Sequence, residues 1–222
     1  MTLLLLIVGC AGGGADSDAP SPEVPTYVLF AADAAGEVPL AWEAWFAALG
    51  RTEMIQADAE QDSFDRGQSL TVLLPDLSRD SKQSVEAWTA GDANVLAMGV
   101  GGARAYDGLD LGIGYSDGGE GAVDGLSVND GYEGDAVFAG VDLTDGPIVE
   151  VWSAPVTDVG IIPGAEGLEV LAWDDRYPGD YADLCHVDRY WFWGWGSDTD
   201  GTPAEMTADG ALIWSNLVSS LL

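Results

Sequence analysis

The residues best suited to covalent chemistry in this chain are an adjacent pair, Cys185-His186. A thiolate beside an imidazole can act as a nucleophile with its base, and the nearby carboxylates of Asp183 and Asp188 could orient the ring. Successive side chains of a strand point to opposite faces, so the pair could couple only in a loop. The sequence therefore leaves three interpretations open: a catalytic couple, an opportunistic metal site, or an inert pair.

Two acidic segments could collect Ca²⁺, which takes about six to eight oxygen ligands. One is a long Gly/Asp-rich segment over residues 116–135. The other, Asp198-Thr199-Asp200-Gly201, opens like an EF-hand loop but lacks the third acidic position and the glutamate of that loop. The candidate ligands are Asp117, Glu120, Asp124, Asp130 and Asp135, and then Asp198, Asp200 and Glu205. Asp and Gly also favour turns, which explains both segments without an ion. We expect neither a metal nor a cofactor.

An aromatic run near the end of the chain has two interpretations. Trp191, Trp193 and Trp195 alternate with Tyr190 and Phe192. One face of such a strand could form a platform for sugar rings, with nearby acids accepting hydrogen bonds from hydroxyls. A strand buried on both sides would have the same composition.

Hydrophobic periodicity predicts the elements that position these residues. Apolar runs predict buried strands over residues 27–31, 69–74 and 94–98. Residues at helical spacing predict helices over Trp42, Trp45, Phe46 and Leu49, over residues 81–90, and at the chain end over Ile213, Leu217 and Leu221. Residues 137–193 are rich in strand patterns. We therefore expect an α/β fold, a flavodoxin-like doubly wound mostly parallel sheet with helices on both faces and an antiparallel extension in the second half.

The third strand runs into a glycine-rich turn, Gly99-Val100-Gly101-Gly102-Ala103-Arg104. A strand-to-helix turn needs steep backbone angles that glycine tolerates, and it points amides at whatever lies above the helix N-terminus. With the Gly101 and Gly102 amides, Arg104 could hold a carboxylate or phosphate; a surface salt bridge is the alternative. We predict ligand contacts at Gly99, Val100, Gly101, Gly102, Arg104 and Tyr106.

Residues 85–104, VEAWTAGDANVLAMGVGGAR, resemble the class I glutamine amidotransferase-like superfamily. In that fold a helix and a capping glycine lead into a strand, which ends in a tight glycine-rich turn before the next helix. Residues 189–218 resemble the end of such domains, including the trehalose-utilisation (ThuA-like) branch. The resemblance implies a single α/β domain over residues 26–222. The ThuA-like branch points to carbohydrate by association alone.

The resemblance also implies what is missing. In active amidotransferases the turn reads Gly-x-Cys-x-Gly, and a later His-x-Glu activates the cysteine. Here Gly99 matches the first glycine, Gly101 stands in the place of the cysteine and Ala103 in that of the last glycine. The only histidine, His186, has no glutamate two residues later. We therefore expect no catalytic residues by the family mechanism, and non-catalytic binding of a small polar molecule or a sugar.

Two other functions remain open at this point. A hydrolase of glycan or cell-wall material could use carboxylates in place of the cysteine, and Asp107 and Asp110 beyond the turn are the first candidates. A pair of carboxyls about 5–10 Å apart in one cleft would favour it. An acidic scaffold could instead bind a basic protein partner, for which a flat apolar patch ringed by acids would be the sign.

The start of the chain resembles a bacterial lipoprotein signal. Apolar residues lead into Ile7-Val8-Gly9-Cys10, which looks like a lipobox. This run is too short to span a bilayer, which needs about 20 residues, so residues 1–9 are predicted to be a removable signal peptide. Cys10 would carry the lipid on a flexible tether, residues 10–25. We expect a membrane-anchored protein of the cell envelope, with the outer membrane favoured over the inner. The alternative is a cytosolic chain with an apolar N-terminus.

The net charge narrows the choice of partners. The chain has 7 Lys and Arg against 38 Asp and Glu, a formal charge of −31. Such a surface repels phosphate backbones, so nucleic acid is excluded as a partner. A hydrophobic content of 47% with 9 Trp separates the chain from disordered acidic tails. Solubility or a saline habitat explains the acidity without any specific ligand.

Overall fold

The computed structural model describes residues 24–57, 64–77, 82–109, 111–116 and 125–222. The predicted signal peptide and almost all of the predicted tether, with Cys10, lie outside the described residues. The same holds for four acidic candidates, Asp110, Asp117, Glu120 and Asp124.

Within the described ranges, 11 strands belong to one sheet. Their bounds are β1 (Tyr27–Ala31), β2 (Thr52–Gln56), β3 (Leu70–Leu73), β4 (Asn94–Met98), β5 (Gly114–Tyr115), β6 (Gly125–Val128), β7 (Ile148–Glu150), β8 (Ile161–Ile162), β9 (Leu168–Asp174), β10 (Ala182–Val187) and β11 (Tyr190–Trp193). The main order is β2-β1-β3-β4-β11-β10-β9-β6-β7, with β8 against β10 and β5 against β8.

The sheet is parallel in one half and antiparallel in the other. Neighbouring strands run parallel from β2 to β11 and antiparallel from β11 to β7. All residues of β1 and β3 are buried, as their almost continuous apolar sequences predict for strands covered on both faces. The predicted α/β sheet of parallel strands with an antiparallel extension in the second half of the chain is therefore confirmed.

Helices cover both faces of the sheet. Those described are α1 (Glu37–Leu49), α2 (Lys82–Trp88), α3 (Gly99–Gly108) and α4 (Ala208–Ser220). Helices α1 and α4 pack on one face around a cluster of aromatic rings, and α2 and α3 pack on the other. The inner face of α4 is as predicted, since Ile213, Leu217 and the C-cap residue Leu221 are buried. Leu49 departs from the prediction: it is the last residue of α1 and is 54% exposed.

Two segments differ from the structure that their sequence patterns predict. Residues 125–128 belong to the Gly/Asp-rich segment over residues 116–135, yet they form the fully buried strand β6 between β9 and β7. The run Val137-Phe138, which begins the strand-rich stretch predicted over residues 137–193, lies in a short 3₁₀ helix, Ala136–Phe138, that packs against α4. Both runs are too short for periodicity to separate strand from other structure. No helix in the described part of the chain is both long and apolar enough to span a membrane.

Candidate functional site

A cleft of about 480 Å³ lies where the parallel strands β3, β4 and β11 reach their carboxyl ends. Open α/β sheets bind ligands at this edge, because the connections that follow neighbouring strands meet there. We call this space the elbow cleft, after the strand-to-helix turn between β4 and α3. Its lining residues are Pro75, Asp76, Val100, Arg104, Thr157, Ser197, Asp198 and Thr199.

Gly99 forms the apex of the turn. Its φ is +50°, and a Cβ placed on it would lie 2.0 Å from the carbonyl oxygen of Gly196. The positive φ favours glycine, and the close contact with Gly196 excludes every other residue unless the backbone moves. A strand-to-helix elbow holds its nucleophile at such an apex. The position that would carry a nucleophile here is therefore Gly99, two residues before the Gly101 that the motif alignment indicates.

The segment facing the apex is Gly196-Ser197-Asp198. The carbonyl oxygen of Gly196 accepts a hydrogen bond of 3.1 Å from the Val100 amide, which ties this segment to the turn. It is the segment from which a base could reach a nucleophile at the apex. It offers a glycine followed two residues later by an aspartate, and no histidine. Neither partner of a thiol–imidazole couple is present at this contact.

The amides of the turn donate to the protein itself. The Val100 amide donates to Gly196, and the Gly101 amide donates to the Pro75 carbonyl at 3.0 Å. A Cβ on Gly101 would lie 2.5 Å from the Leu77 backbone nitrogen, so the segment after β3 and the turn are in direct backbone contact. Gly102 is buried against β4. The anion cradle predicted from the Gly101 and Gly102 amides is therefore not open to the cleft.

Of the six predicted ligand contacts, Val100 and Arg104 line the cleft. Arg104 is partly buried, and within the described residues its side chain makes no hydrogen bond or salt bridge, so the surface ion pair considered above does not form there. Tyr106 lies in the core instead. Its hydroxyl contacts the carbonyls of Trp191 at 2.6 Å and Val95 at 3.2 Å, and it can donate to only one of them at a time.

Asp76 is the cleft residue of greatest chemical interest that sequence reasoning missed. Its Oδ2 accepts the Asp33 amide at 2.9 Å, while its Oδ1 is buried without a hydrogen-bond partner. Burial is the main reason that the pKa of this carboxyl lies above its usual range. The sequence feature that indicates Asp76 is its position just after β3 and Pro75, because residues that follow neighbouring parallel strands meet at one edge of the sheet.

The far wall of the cleft is built around the Asp200 carboxylate. Its Oδ2 accepts the amide and the hydroxyl of Thr157, at 3.0 and 2.7 Å. Its Oδ1 accepts the hydroxyl of Ser197 at 2.8 Å. Asp200 therefore joins two segments that are distant in the chain and sets the shape of the wall.

The Cys185-His186 pair does not form a couple. Cys185 is buried within β10, which is two strands away from β4 and its turn. Burial raises the pKa of its thiol far above the usual range. His186 points to the opposite face, as strand geometry predicts. Its ring stacks on Trp191 at a centroid distance of 4.0 Å and lies 3.4 Å from the Glu169 carboxylate. The inert interpretation of the pair fits these positions.

Three of the acids considered for Ca²⁺ already have protein partners, whereas Asp130 and Asp198 are exposed. Asp135 accepts the Val137 amide, Asp200 holds the cleft wall, and Glu205 accepts the amide and hydroxyl of Thr202 in a capping box. Within the residues described, no cluster of three or more His, Cys, Asp or Glu side chains could hold a metal ion. The aromatic run likewise provides no platform, because Phe192, Trp193 and Trp195 are buried.

A second group of acids lies behind the cleft wall. Asp158, Asp174 and Asp183 are almost fully buried, and Arg176 bridges the first two at 3.4 and 3.3 Å. Neither carboxyl oxygen of Asp183 has a hydrogen-bond partner, and its pKa is raised well above the usual range, first by burial and then by the neighbouring carboxylates. Asp158 follows Thr157 in the chain, so this cluster borders the cleft wall.

No family model matches the sequence, and a search of curated proteins gives no match. Solved structures do match. A putative GMP synthase subunit from Thermoplasma acidophilum is 16% identical, with a TM-score of 0.60 over 88% of this chain and 93% of that chain. PurLQS from Thermotoga maritima is 10% identical, with a TM-score of 0.57 over 90% and 100%. A glutamine amidotransferase from Thermotoga maritima is 9% identical, with a TM-score of 0.52 over 78% and 76%. The chain has a glutamine amidotransferase-like, flavodoxin-like fold.

Proposed function

We propose that this protein is an envelope-anchored lipoprotein whose glutamine amidotransferase-like domain lacks the catalytic pair and binds a small polar molecule or a sugar in the elbow cleft. One observation carries the proposal. The space that a nucleophile's side chain would need at Gly99 is taken by the Gly196 carbonyl, while a polar cleft remains open beside it. The resemblance to the ThuA-like branch supports a sugar, and the lipobox-like Ile7-Val8-Gly9-Cys10 supports the anchor.

Binding in the cleft can be tested with a thermal-shift screen of polar metabolites and sugars. A true ligand should raise the unfolding temperature of the wild type, because it binds the folded state alone. The rise should be lost in Arg104→Gln and kept in the matched control Arg66→Gln, whose guanidinium lies beside Glu53 and over the Phe64 ring, among residues that do not line the cleft. Glutamine hydrolysis by the purified wild type would contradict the loss of catalysis.

The anchor is tested separately by expressing the full chain in a bacterial host and separating its membranes. We expect the wild type in the membrane fraction and Cys10→Ser in the soluble fraction, because the substitution removes the only proposed lipid attachment. A density gradient then distinguishes outer from inner membrane. Equal distribution of the two forms would reject the lipoprotein proposal without affecting the binding proposal.

A carboxylate-dependent hydrolase is the second candidate, and one observation favours it. Asp76 and Asp198 line the same cleft, whereas the predicted candidate Asp107 is exposed outside the lining and Asp110 lies outside the described residues. Two carboxyls in one cleft are what glycoside hydrolysis requires. Release of product from cell-wall glycan by the wild type, lost in both Asp76→Asn and Asp198→Asn, would favour this function over binding alone.

A further inference from the structure

The hydroxyl groups of the elbow cleft have their hydrogens committed to the wall behind them. Thr157 and Ser197 each donate their hydroxyl to the Asp200 carboxylate, at 2.7 and 2.8 Å. A hydroxyl has one hydrogen and two acceptor lone pairs. Thr157 can therefore offer only an acceptor to a molecule in the cleft.

The same reasoning extends to Thr199. Its hydroxyl oxygen lies 3.2 Å from the Ser197 hydroxyl oxygen. Because the hydroxyl hydrogen of Ser197 points to the Asp200 carboxylate, Thr199 must be the donor in the contact between the two hydroxyls. Ser197 also accepts the Thr199 amide at 3.2 Å, which fills its lone pairs. Thr199 thus presents lone pairs to the cleft as well.

The two carboxyls of the lining add to this excess of acceptors. Oδ1 of Asp76 is buried and receives no hydrogen bond, and Asp198 is exposed on the opposite wall. Among the lining residues that the structure describes, Arg104 alone has a side chain that must donate. The cleft therefore places four acceptor side chains against one donor.

The charges of the lining favour a ligand of positive charge. Two carboxyl groups and one guanidinium give the lining more acidic than basic side chains. The chain as a whole has a formal charge of −31, so the long-range field attracts cations and repels anions. A single positive charge on the ligand would neutralise the lining.

We propose that the elbow cleft selects a small organic amine in its ammonium form, with further O–H or N–H donors, over the matching neutral or anionic molecule. An ammonium group has three donors and no acceptor, which complements a lining of acceptors. Amino sugars and short hydroxyamines share this chemistry. The inference rests on the proposed binding function and names the class of ligand for it.

Two sets of matched probes test the selection by isothermal titration calorimetry near neutral pH, where the amines are mostly charged. One set is glucosamine, glucose and glucuronate; the other is ethanolamine, ethylene glycol and glycolate. We expect the amine of at least one set to bind at least about tenfold more tightly than its neutral and anionic counterparts, because hydrogen bonds to charged groups are the stronger ones. The two sets also separate a preference for amino sugars from one for hydroxyamines.

Variants of the lining locate the effect. Asp76→Asn should weaken binding of the amine about tenfold or more and change binding of the neutral probe little, since it removes one charge and keeps the shape. Asp198→Asn should act in the same direction and is the safer variant, because Asp198 is exposed and folding does not depend on its burial. Asp142→Asn, at a fully exposed site outside the lining, is the matched control.

The outcomes separate this inference from the function on which it rests. Preference for glucuronate or glycolate, or equal affinity within each set, would overturn the selection of amines and leave the binding function in place. Binding of the amine that survives both Asp76→Asn and Asp198→Asn would also overturn it. No saturable binding by any of the six probes would contradict both this inference and the binding function. If the wider thermal-shift screen then still identified a ligand, the binding function would stand and only this inference would fail.

Discussion

Gly99 is the residue whose backbone the fold restricts most closely. Its left-handed φ costs other residues about 1–2 kcal/mol, and the Gly196 carbonyl adds a steric clash. We therefore expect Gly99→Ala to lower the free energy of unfolding by about 3–5 kcal/mol. The matched control is Gly112→Ala, where φ is +72° and nothing lies within 4 Å of the added Cβ, so the loss should be about 1 kcal/mol. Urea unfolding measures both, and equal losses would mean that the contact with Gly196 is unimportant.

Asp158 makes stability depend on pH. Burial and the negative charge of Asp174 raise its pKa from 3.8 to about 7, although Arg176 opposes the shift. Asp183, which Asp175 also faces, is shifted in the same direction. The folded state thus holds a proton that the unfolded state releases, so the free energy of unfolding contributed by these groups falls as pH rises from about 4 to 7.

Asp158→Asn should remove part of that dependence. Its stability relative to the wild type should increase from pH 4 to pH 7, by an amount on the order of a few kcal/mol. Thermal unfolding across this range measures the difference. Asp142→Asn is the control whose difference from the wild type should stay nearly constant between pH 4 and pH 7, because hydrogen bonds from Thr144 lower the pKa of Asp142 and its stabilising effect disappears only as pH falls below about 4. A flat difference between Asp158→Asn and the wild type would contradict the assignment.

At the scale of elements, α4 depends on its first residues to dock against the sheet. The hydroxyl oxygen of Thr207 accepts the Gly210 amide at 2.9 Å, and the same hydroxyl donates to the Glu150 carbonyl at 2.6 Å. One side chain therefore caps the helix and joins it to β7. The docked helix places Trp214 in the aromatic cluster with Trp42 and Trp193.

Removal of this cap should have a measurable cost. Thr207→Ala should destabilise the protein by about 1–2 kcal/mol, because it leaves an amide without its partner and breaks the bond to β7. Thr207→Ser keeps the hydroxyl and should lose only a small part of that. Tryptophan fluorescence during urea unfolding follows both variants. Similar losses for the two would show that the methyl group, rather than the hydroxyl, stabilises the contact.

At the scale of the whole molecule, the charge of −31 opposes the compact state through repulsion between carboxylates. Salt screens this repulsion, since the Debye length falls from about 30 Å at 0.01 M to about 3 Å at 1 M. We expect the unfolding temperature to rise steadily as NaCl is added over this range. An equal concentration of a neutral osmolyte is the control for general exclusion effects. Stability that is unchanged or lower in salt would contradict a destabilising effect of the net charge.

The sequence by itself determined the layers of the fold. The apolar runs of β1 and β3 leave no polar face, which requires cover on both sides and hence a parallel sheet between helices. The stripe of Ile213, Leu217 and Leu221 likewise predicts the buried face of α4. The glycine-rich run after β4 indicated a strand-to-helix turn. These are local properties, set by backbone geometry and by the spacing of apolar side chains.

Only the tertiary structure decided what the turn faces. The strand order places β11, late in the chain, beside β4, and so brings the carbonyl of Gly196 against Gly99 and closes the amides that the sequence left available. It also brings Asp76 and Thr157 into one cleft. No periodicity reports such contacts, because they join segments far apart in the chain, and the direction of each hydroxyl hydrogen depends on an acceptor, Asp200, that only folding brings within reach.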